Sequence, residues 1–433
     1  MQIKNMFSLM VLDSRGNPTL MTKIILSNGE KVSAIVPSGA STGKKEALEL
    51  RDGDKKKFKG KSVFNAIQNV NDIIAPVFIG EELDDFTRLD RKLLLLDETK
   101  NKSNLGANAI LSVSIALLKA VALTKKMEIY DYIKKELMGD KTDLYHAPIP
   151  MLNLINGGAH ANNSLDFQEF MIVPQKASSF FQAIKISAEI FYELEAFIKQ
   201  KKLSTSKGDE GGFAPDLPSI EEALKLLTRA IKKAKYTPDS TEGVGIAIDV
   251  AANELSDNSI YIFKKAISNN SNFSQLTYTS EELLQYYKEL IELFPIVSIE
   301  DGFAENDLQG FAQFNKECSI MNVGDDLYCT NLHYLKEYSK MNLTNAILIK
   351  PNQIGSITET IETIKFAQSK KMKIIVSHRS GDTEDTFIAD LSIGVSADYI
   401  KTGSLSRSER VSKYNRILEI ENELKDKLIY GKN

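Results

Sequence analysis

At 433 residues the chain exceeds one ordinary hydrophobic core, so two domains are expected. With 42% hydrophobic and 26% charged residues and a net charge of −4, it reads as a soluble globular protein with no global field for nucleic acid or an anionic membrane. Only Cys318 and Cys329 are present, without metal spacing or a disulfide framework, which points to a reducing, cytoplasmic setting.

The first part, to about residue 140, reads as an α+β unit. Residues 19–26 and 31–36 have strand character, and Asn28-Gly29 between them predicts a hairpin. Helical patterns follow at 62–74, 87–96, 109–123 and 130–137. The apolar stretch 109–123 carries Ser112, Ser114 and Lys119 and is short for a bilayer, so it is expected as a buried helix and not as a membrane span. The hydroxyl- and glycine-rich 37–43 suits a mobile lid or an anion-facing loop, followed by a helical 44–50. The basic run Lys55 to Lys61 reads as a solvated turn.

From about residue 141 apolar strands alternate with helical segments at 180–201, 220–235, 280–293 and 357–369. Six of these strands end in charged groups. Asp249, Glu300, Asp325, Lys350, His378-Arg379 and Lys401 each close a short apolar run, and from Glu300 onward they recur at intervals of 25, 25, 28 and 23 residues. One strand–helix unit of a (β/α)8 barrel takes about 30 residues, and side chains at the strand C-termini face one pocket. Asp249, Glu300 and Asp325 then converge as three carboxylates, which stay ionised together only around a hard cation. Oxygen donors without neighbouring His or Cys favour Mg²⁺ or Mn²⁺ over zinc. Lys350, Arg379 and Lys401 form a cationic wall suited to a carboxylate or phosphate. A lysine facing a metal-bound carboxylate is arranged to take a proton from the adjacent carbon. Departure of a leaving group needs an acid on the other face, and Glu210, among glycines, and Glu169 are the candidates.

These residues sit inside long ordered motifs: SGAST at 38–42, GGAHA at 157–161, FQEF at 167–170, GDEGGFAP at 208–215, SIED at 298–301, GDDL at 324–327, KPNQIG at 350–355, SHRSG at 377–381 and KTG at 401–403. From Leu12 to Asn415 the chain resembles the enolase family. A lysine or histidine base with one or two Mg²⁺ is a known arrangement of that superfamily. The resemblance implies an N-terminal α+β domain (1–140) carrying the substrate lid, and a modified (β/α)8 barrel (141–433) whose second strand runs antiparallel. It implies reversible dehydration of 2-phosphoglycerate to phosphoenolpyruvate. Lys350 is then the base at C2, and Glu210 the acid assisting the C3 hydroxide, with Glu169 and Gln168 beside it. Asp249, Glu300 and Asp325 hold the first Mg²⁺. Arg379 and Ser380 take the phosphate and Lys401 the carboxylate. Ser41, on the lid, helps a second Mg²⁺ that arrives with substrate, while His160 and His378 line the pocket. A cytoplasmic homodimer or octamer follows from the same resemblance, with the secreted or cell-surface pool known for some members.

The departures lie mostly away from these positions. Gly302 stands where proline is common, Ser404-Leu405-Ser406 replaces an Ala-Pro-Cys-like run, and Phe311 takes a frequent tryptophan position. Met21 and Glu419 stand where many members pair a Glu and an Arg between subunits. Two other readings are a racemase or cycloisomerase acting on an unphosphorylated carboxylate, and a surface-binding protein without catalysis. Arg379-Ser380 and the 38–42 loop argue against the first, and the chemically complete site against the second. Lys350 is further expected to be driven toward its neutral amine by the neighbouring metal and cations, Lys401 among them.

Overall fold

The computed structural model describes residues 1–39, 43, 45–258, 260–268 and 275–432. Ser41 lies outside the described residues, so the lid assignment has no structural counterpart. The chain opens with an antiparallel sheet of β1 (Ile3–Leu12), β2 (Pro18–Leu26) and β3 (Lys31–Ile35), in that order. β2 and β3 are the expected hairpin. β1 escaped the sequence reading because its burial does not alternate cleanly and its register shifts between Ile3 and Asn5.

The helix expected over 62–74 is present in three joined pieces, Phe64–Gln68, Asn69–Ile74 and Ala75–Phe78. Helix α1 (Phe86–Leu95) starts at Asp85, whose carboxylate accepts from the backbone N–H of Thr87 at 2.8 Å. Helix α2 (Ala107–Thr124) is apolar on nearly every side because the fold covers it nearly all round. The helix expected over 44–50 is not found among its described residues, 45–50. Their backbone N–H groups bond elsewhere, Ala47 to Gln353 O at 2.7 Å and Leu48 to Asn101 O at 2.8 Å, and these long-range bonds replace the helical ladder.

Eight strands then close a barrel: β4 (Ile149–Asn156), β5 (Glu169–Pro174), β6 (Val244–Asp249), β7 (Ile296–Glu300), β8 (Met321–Gly324), β9 (Ala346–Ile349), β10 (Lys373–Ser377) and β11 (Tyr399–Lys401). β5 pairs antiparallel with both β4 and β6, while the other neighbouring pairs run parallel. The interior is filled by Met151, Met171, Val173, Ala247, Val323, Leu348 and Ile375, so the barrel is a packed core and not a pore. Helices follow the strands around the outside, among them α3 (Phe180–Gln200), α4 (Ile220–Lys233), α5 (Ser280–Leu293), α6 (Leu308–Glu317), α7 (Leu332–Tyr338), α8 (Ile357–Ser369), α9 (Phe387–Gly394) and α10 (Ser408–Leu424). The excursion at 253–276 contains Ser256–Asp257, Ile260–Ile262 and the short helix Lys264–Ser268.

Polar ties lock the first sheet and its helices onto the barrel. Lys119 of α2 donates to Asp385 Oδ2 at 2.8 Å and to Ser33 O at 3.0 Å, and Asp385 Oδ2 also accepts from Ile35 N at 3.0 Å. At the start of α8, Ile357 N donates to Ser114 Oγ at 3.0 Å and Thr358 N to Asp90 Oδ2 at 2.8 Å. Truncating Asp385 removes the Lys119 ammonium's carboxylate, leaving it Ser33 O, and unpairs the Ile35 N–H. Asp385→Ala is expected to destabilise the protein by about 3 kcal/mol, read as a lower urea midpoint, and an unchanged midpoint would remove this tie from the account.

Candidate active site

The strand ends bring the predicted residues to one mouth. Asp249 and Glu300 close β6 and β7, Asp325 and Lys350 follow β8 and β9 directly, His378, Arg379 and Ser380 follow β10, and Lys401 closes β11. Glu169 opens β5, yet it reaches the same rim because that strand runs the other way, and its partner across the pair is Asp249. One pocket is lined by His160, Gln168, Glu169, Glu210, Asp249, Asp325, Lys350, His378, Arg379, Ser380 and Lys401. Glu300 lies just beneath, 1% exposed and reached through Lys401. Every described residue singled out for the site is therefore brought together.

Local sequence explains the placement. Pro351 starts a short helix, Pro351–Ile354, immediately after Lys350, so the strand must stop with the lysine at its tip. Glu210 rides a tight turn in which Gly208 N donates to Gly212 O at 2.8 Å. Gly211 has φ +86°, and a Cβ there would meet Ser406 O at 2.3 Å, so both backbone conformation and space demand glycine. Gln168 donates from its backbone to Asp249 O at 3.0 Å and from Nε2 to Asp249 Oδ2 at 3.3 Å.

Buried charge dominates the mouth. Lys401 Nζ lies 2.9 Å from Asp249 Oδ2, 2.9 Å from both Glu300 oxygens and 3.4 Å from Glu169 Oε2. Burial pushes this lysine down, but Asp249, Glu169 and Glu300 outweigh it and hold it well above its ordinary value. Lys350 donates to Asp325 Oδ2. Burial again opposes the charge and Asp325 again wins, so Lys350 is held above its usual range as an ammonium. Of the expected push toward the amine, the part from side-chain cations is outweighed: the carboxylate in contact prevails over Arg379 and Lys401. Arg379 grips Glu46 through both terminal nitrogens, at 3.0 and 3.1 Å, and reaches Asn352 Oδ1 at 3.0 Å.

Glu169 and Glu210 form a buried carboxyl pair around His160, whose Nδ1 lies 3.5 Å from one and 3.6 Å from the other. Burial, then the charge of Glu210, pushes Glu169 well up. Burial also raises Glu210, but the facing His378, His160 and Arg410 reverse this and hold it below the carboxylate range. One proton on the pair therefore rests on Glu169.

The donor set fits a hard divalent cation. Asp249, Glu300 and Asp325 offer only carboxylate oxygens; here Asp249 and Glu300 converge on Lys401, while Asp325 shares a cluster with Asp301 and Asp326 in which one oxygen of each lies within 4.8 Å of the others. Burial and the neighbouring Asp249 push Glu300 up to about 8, and burial and Asp325 push Asp326 to about 6. A cation that takes these oxygens displaces protons, so its affinity should rise with pH through about 8 and level off above. For one displaced proton the slope is at most about tenfold per pH unit, measurable by titrating the divalent ion at pH 6, 7 and 8. A flat profile would contradict the assignment of Glu300.

Several residues of the site went unread in the sequence. Asn153 Nδ2 donates to Glu210 Oε2 at 3.0 Å, and Gln353 Nε2 to Asp325 Oδ1 at 2.9 Å. Asp301, with φ +42°, accepts from Asp325 N at 2.9 Å and Asp326 N at 3.0 Å. Asn153 stands out as a polar residue in the middle of an apolar strand, and that contrast was the available clue. Glu46 carried none, because its partner Arg379 is 333 positions away.

Two family models match. Residues 3–133 match the enolase N-terminal domain, and residues 144–433 the enolase C-terminal TIM barrel domain. An enolase of Ureaplasma parvum is 58% identical over 431 residues, covering 99% of this chain and 98% of that protein. An enolase of Malacoplasma penetrans is 50% identical over 425 residues, covering 97% and 94%, and one of Helicobacter pylori 48% over 432 residues, covering 99% and 98%. With both domains matched and the likeness running end to end, the chain belongs to the enolase family.

Proposed function

We infer that this chain catalyses the reaction of its family, the reversible dehydration of 2-phosphoglycerate to phosphoenolpyruvate and water. The observation that carries the residue roles is that Lys350 and the Glu169–Glu210 carboxyl pair, from separate strand ends and a separate turn, face one pocket that also holds Arg379 and Lys401.

In this reading Lys350 Nζ takes the C2 proton. Asp325, which holds it as an ammonium, is also one of the residues that would hold a divalent cation, and sharing that carboxylate would return base character to the lysine. Glu210 rests as a carboxylate, so the proton it delivers to the departing C3 hydroxide is the one it first takes from Glu169, where the proton of the pair rests. Arg379 already holds a carboxylate with two parallel N–H donors, the geometry a phosphate oxygen pair also takes, and Ser380 lies beside it. Lys401 takes the substrate carboxylate, Gln168 holds the Asp249 side of the mouth, and His160 and His378 line the pocket. Asp249, Glu300 and Asp325 would hold a first Mg²⁺, with a second arriving with substrate, and the metal would supply Lewis-acid stabilisation of the charge that develops on the substrate carboxylate. The enzyme is read as cytoplasmic and as a homodimer or octamer.

Adding 2-phosphoglycerate and Mg²⁺ should raise phosphoenolpyruvate absorbance, and a chelator should abolish the rise. Folded protein that stays silent with Mg²⁺ would sink the reading. Sedimentation at micromolar concentration should find a dimer or larger ring, and a monomer alone would contradict the assembly.

A further inference from the structure

We propose that Arg410 is a positioning residue that locks His378 into the tautomer bearing its proton on Nε2, making that N–H a fixed donor toward Glu210. Arg410 is completely buried in the first turn of α10, a large cation in the interior that the reaction scheme above does not use. Its Nη1 lies 2.6 Å from His378 Nδ1 and donates to Arg379 O at 2.6 Å. Its Nη2 donates to Ser380 O at 2.8 Å and to Asp209 O at 3.2 Å. A guanidinium has donors and no acceptor. The ring nitrogen facing it must therefore present a lone pair, so Nδ1 carries no hydrogen and the ring proton sits on Nε2.

The other side of the ring gives this a consequence. His378 Nε2 faces Glu210 Oε2 at 3.4 Å and has no hydrogen-bond partner of its own, and the same oxygen accepts from Asn153 Nδ2 at 3.0 Å. With two N–H groups directed at Oε2, the proton that Glu210 gives or receives belongs on Oε1, the oxygen nearest His160. The same guanidinium bonds the backbone on both sides of this contact, 379–380 after the histidine and Asp209 before the glutamate. Gly403 allows the close approach, since a Cβ there would meet Arg410 Cδ at 2.8 Å. Burial pushes His378 down to about 4 against the pull of Glu210, and the charge of Arg410 adds to burial, so the ring is neutral at pH 7.

The proposal rests on the reading of Glu210 as the acid, but its test does not. The chain has four histidines, so the ring nitrogens of ¹⁵N-histidine-labelled enzyme can be assigned with His378→Gln as the blank. For His378 we expect one protonated signal at Nε2 and one unprotonated signal at Nδ1, unchanged from pH 8 to 5.5. A proton on Nδ1, or an imidazolium at pH 7, overturns the proposal, whatever the role of Glu210. Should Glu210→Gln retain full dehydration, the acid reading fails while the tautomer result stands. Arg410→Gln should mix the two tautomers and lower kcat by about tenfold or more with KM changed less than about threefold. Wild-type spectra and kcat in a folded Arg410→Gln protein would overturn the proposal, and if that variant does not fold the wild-type spectrum decides.

Discussion

The ammonium of Lys401, buried among Asp249, Glu300 and Glu169, is the contact on which the mouth of the barrel depends. It draws the ends of β6, β7 and β11 and the start of β5 onto one atom. Carboxylates this close repel one another by several kcal/mol in a poorly solvated interior, and the central cation is what lets them stay together. Against its pull, burial and the neighbouring Asp249 still push Glu300 up to about 8. The electrostatic excess that makes the site eager for a divalent ion is thus a property of the folded barrel itself.

The first sheet and its helices serve the same site from outside the barrel. Glu46 reaches across to hold Arg379, and its Oε1 also accepts from Gly43 N at 3.0 Å. Lys45 donates to Leu327 O at 3.2 Å and lies over the rings of Tyr334 and Tyr338 at 5.2 and 5.1 Å. The stretch after the 38–42 motif is therefore anchored to barrel residues at consecutive side chains, in addition to the long-range backbone bonds that replace a helix over 45–50.

Much of the site was legible because barrel geometry converts regular spacing into convergence. Asp249, Glu300, Asp325, Lys350 and Lys401 could be placed at one rim from apolar runs and their intervals alone. Glu169 could not, since a rim position at the start of a strand requires that strand to be reversed, and periodicity is blind to direction. Only the enolase likeness supplied the reversal. Arg410, Asp301 and Glu46 were hidden for a different reason: their partners are a different strand end or a different domain, and burial of a charged residue leaves no trace in spacing. For the protonation of Lys350 the sequence shows the cations that recur along the barrel but not that Asp325 lies in direct contact with its ammonium.

In the proposed reaction Lys350 takes the C2 proton while the carboxyl pair handles the hydroxide. Incubating 2-phosphoglycerate in D₂O with Lys350→Ala and with Glu210→Gln separates the two steps. C2 deuterium incorporation should vanish in Lys350→Ala and persist in Glu210→Gln, whose dehydration should be lost. Equal exchange in both variants would contradict the assignment of base and acid.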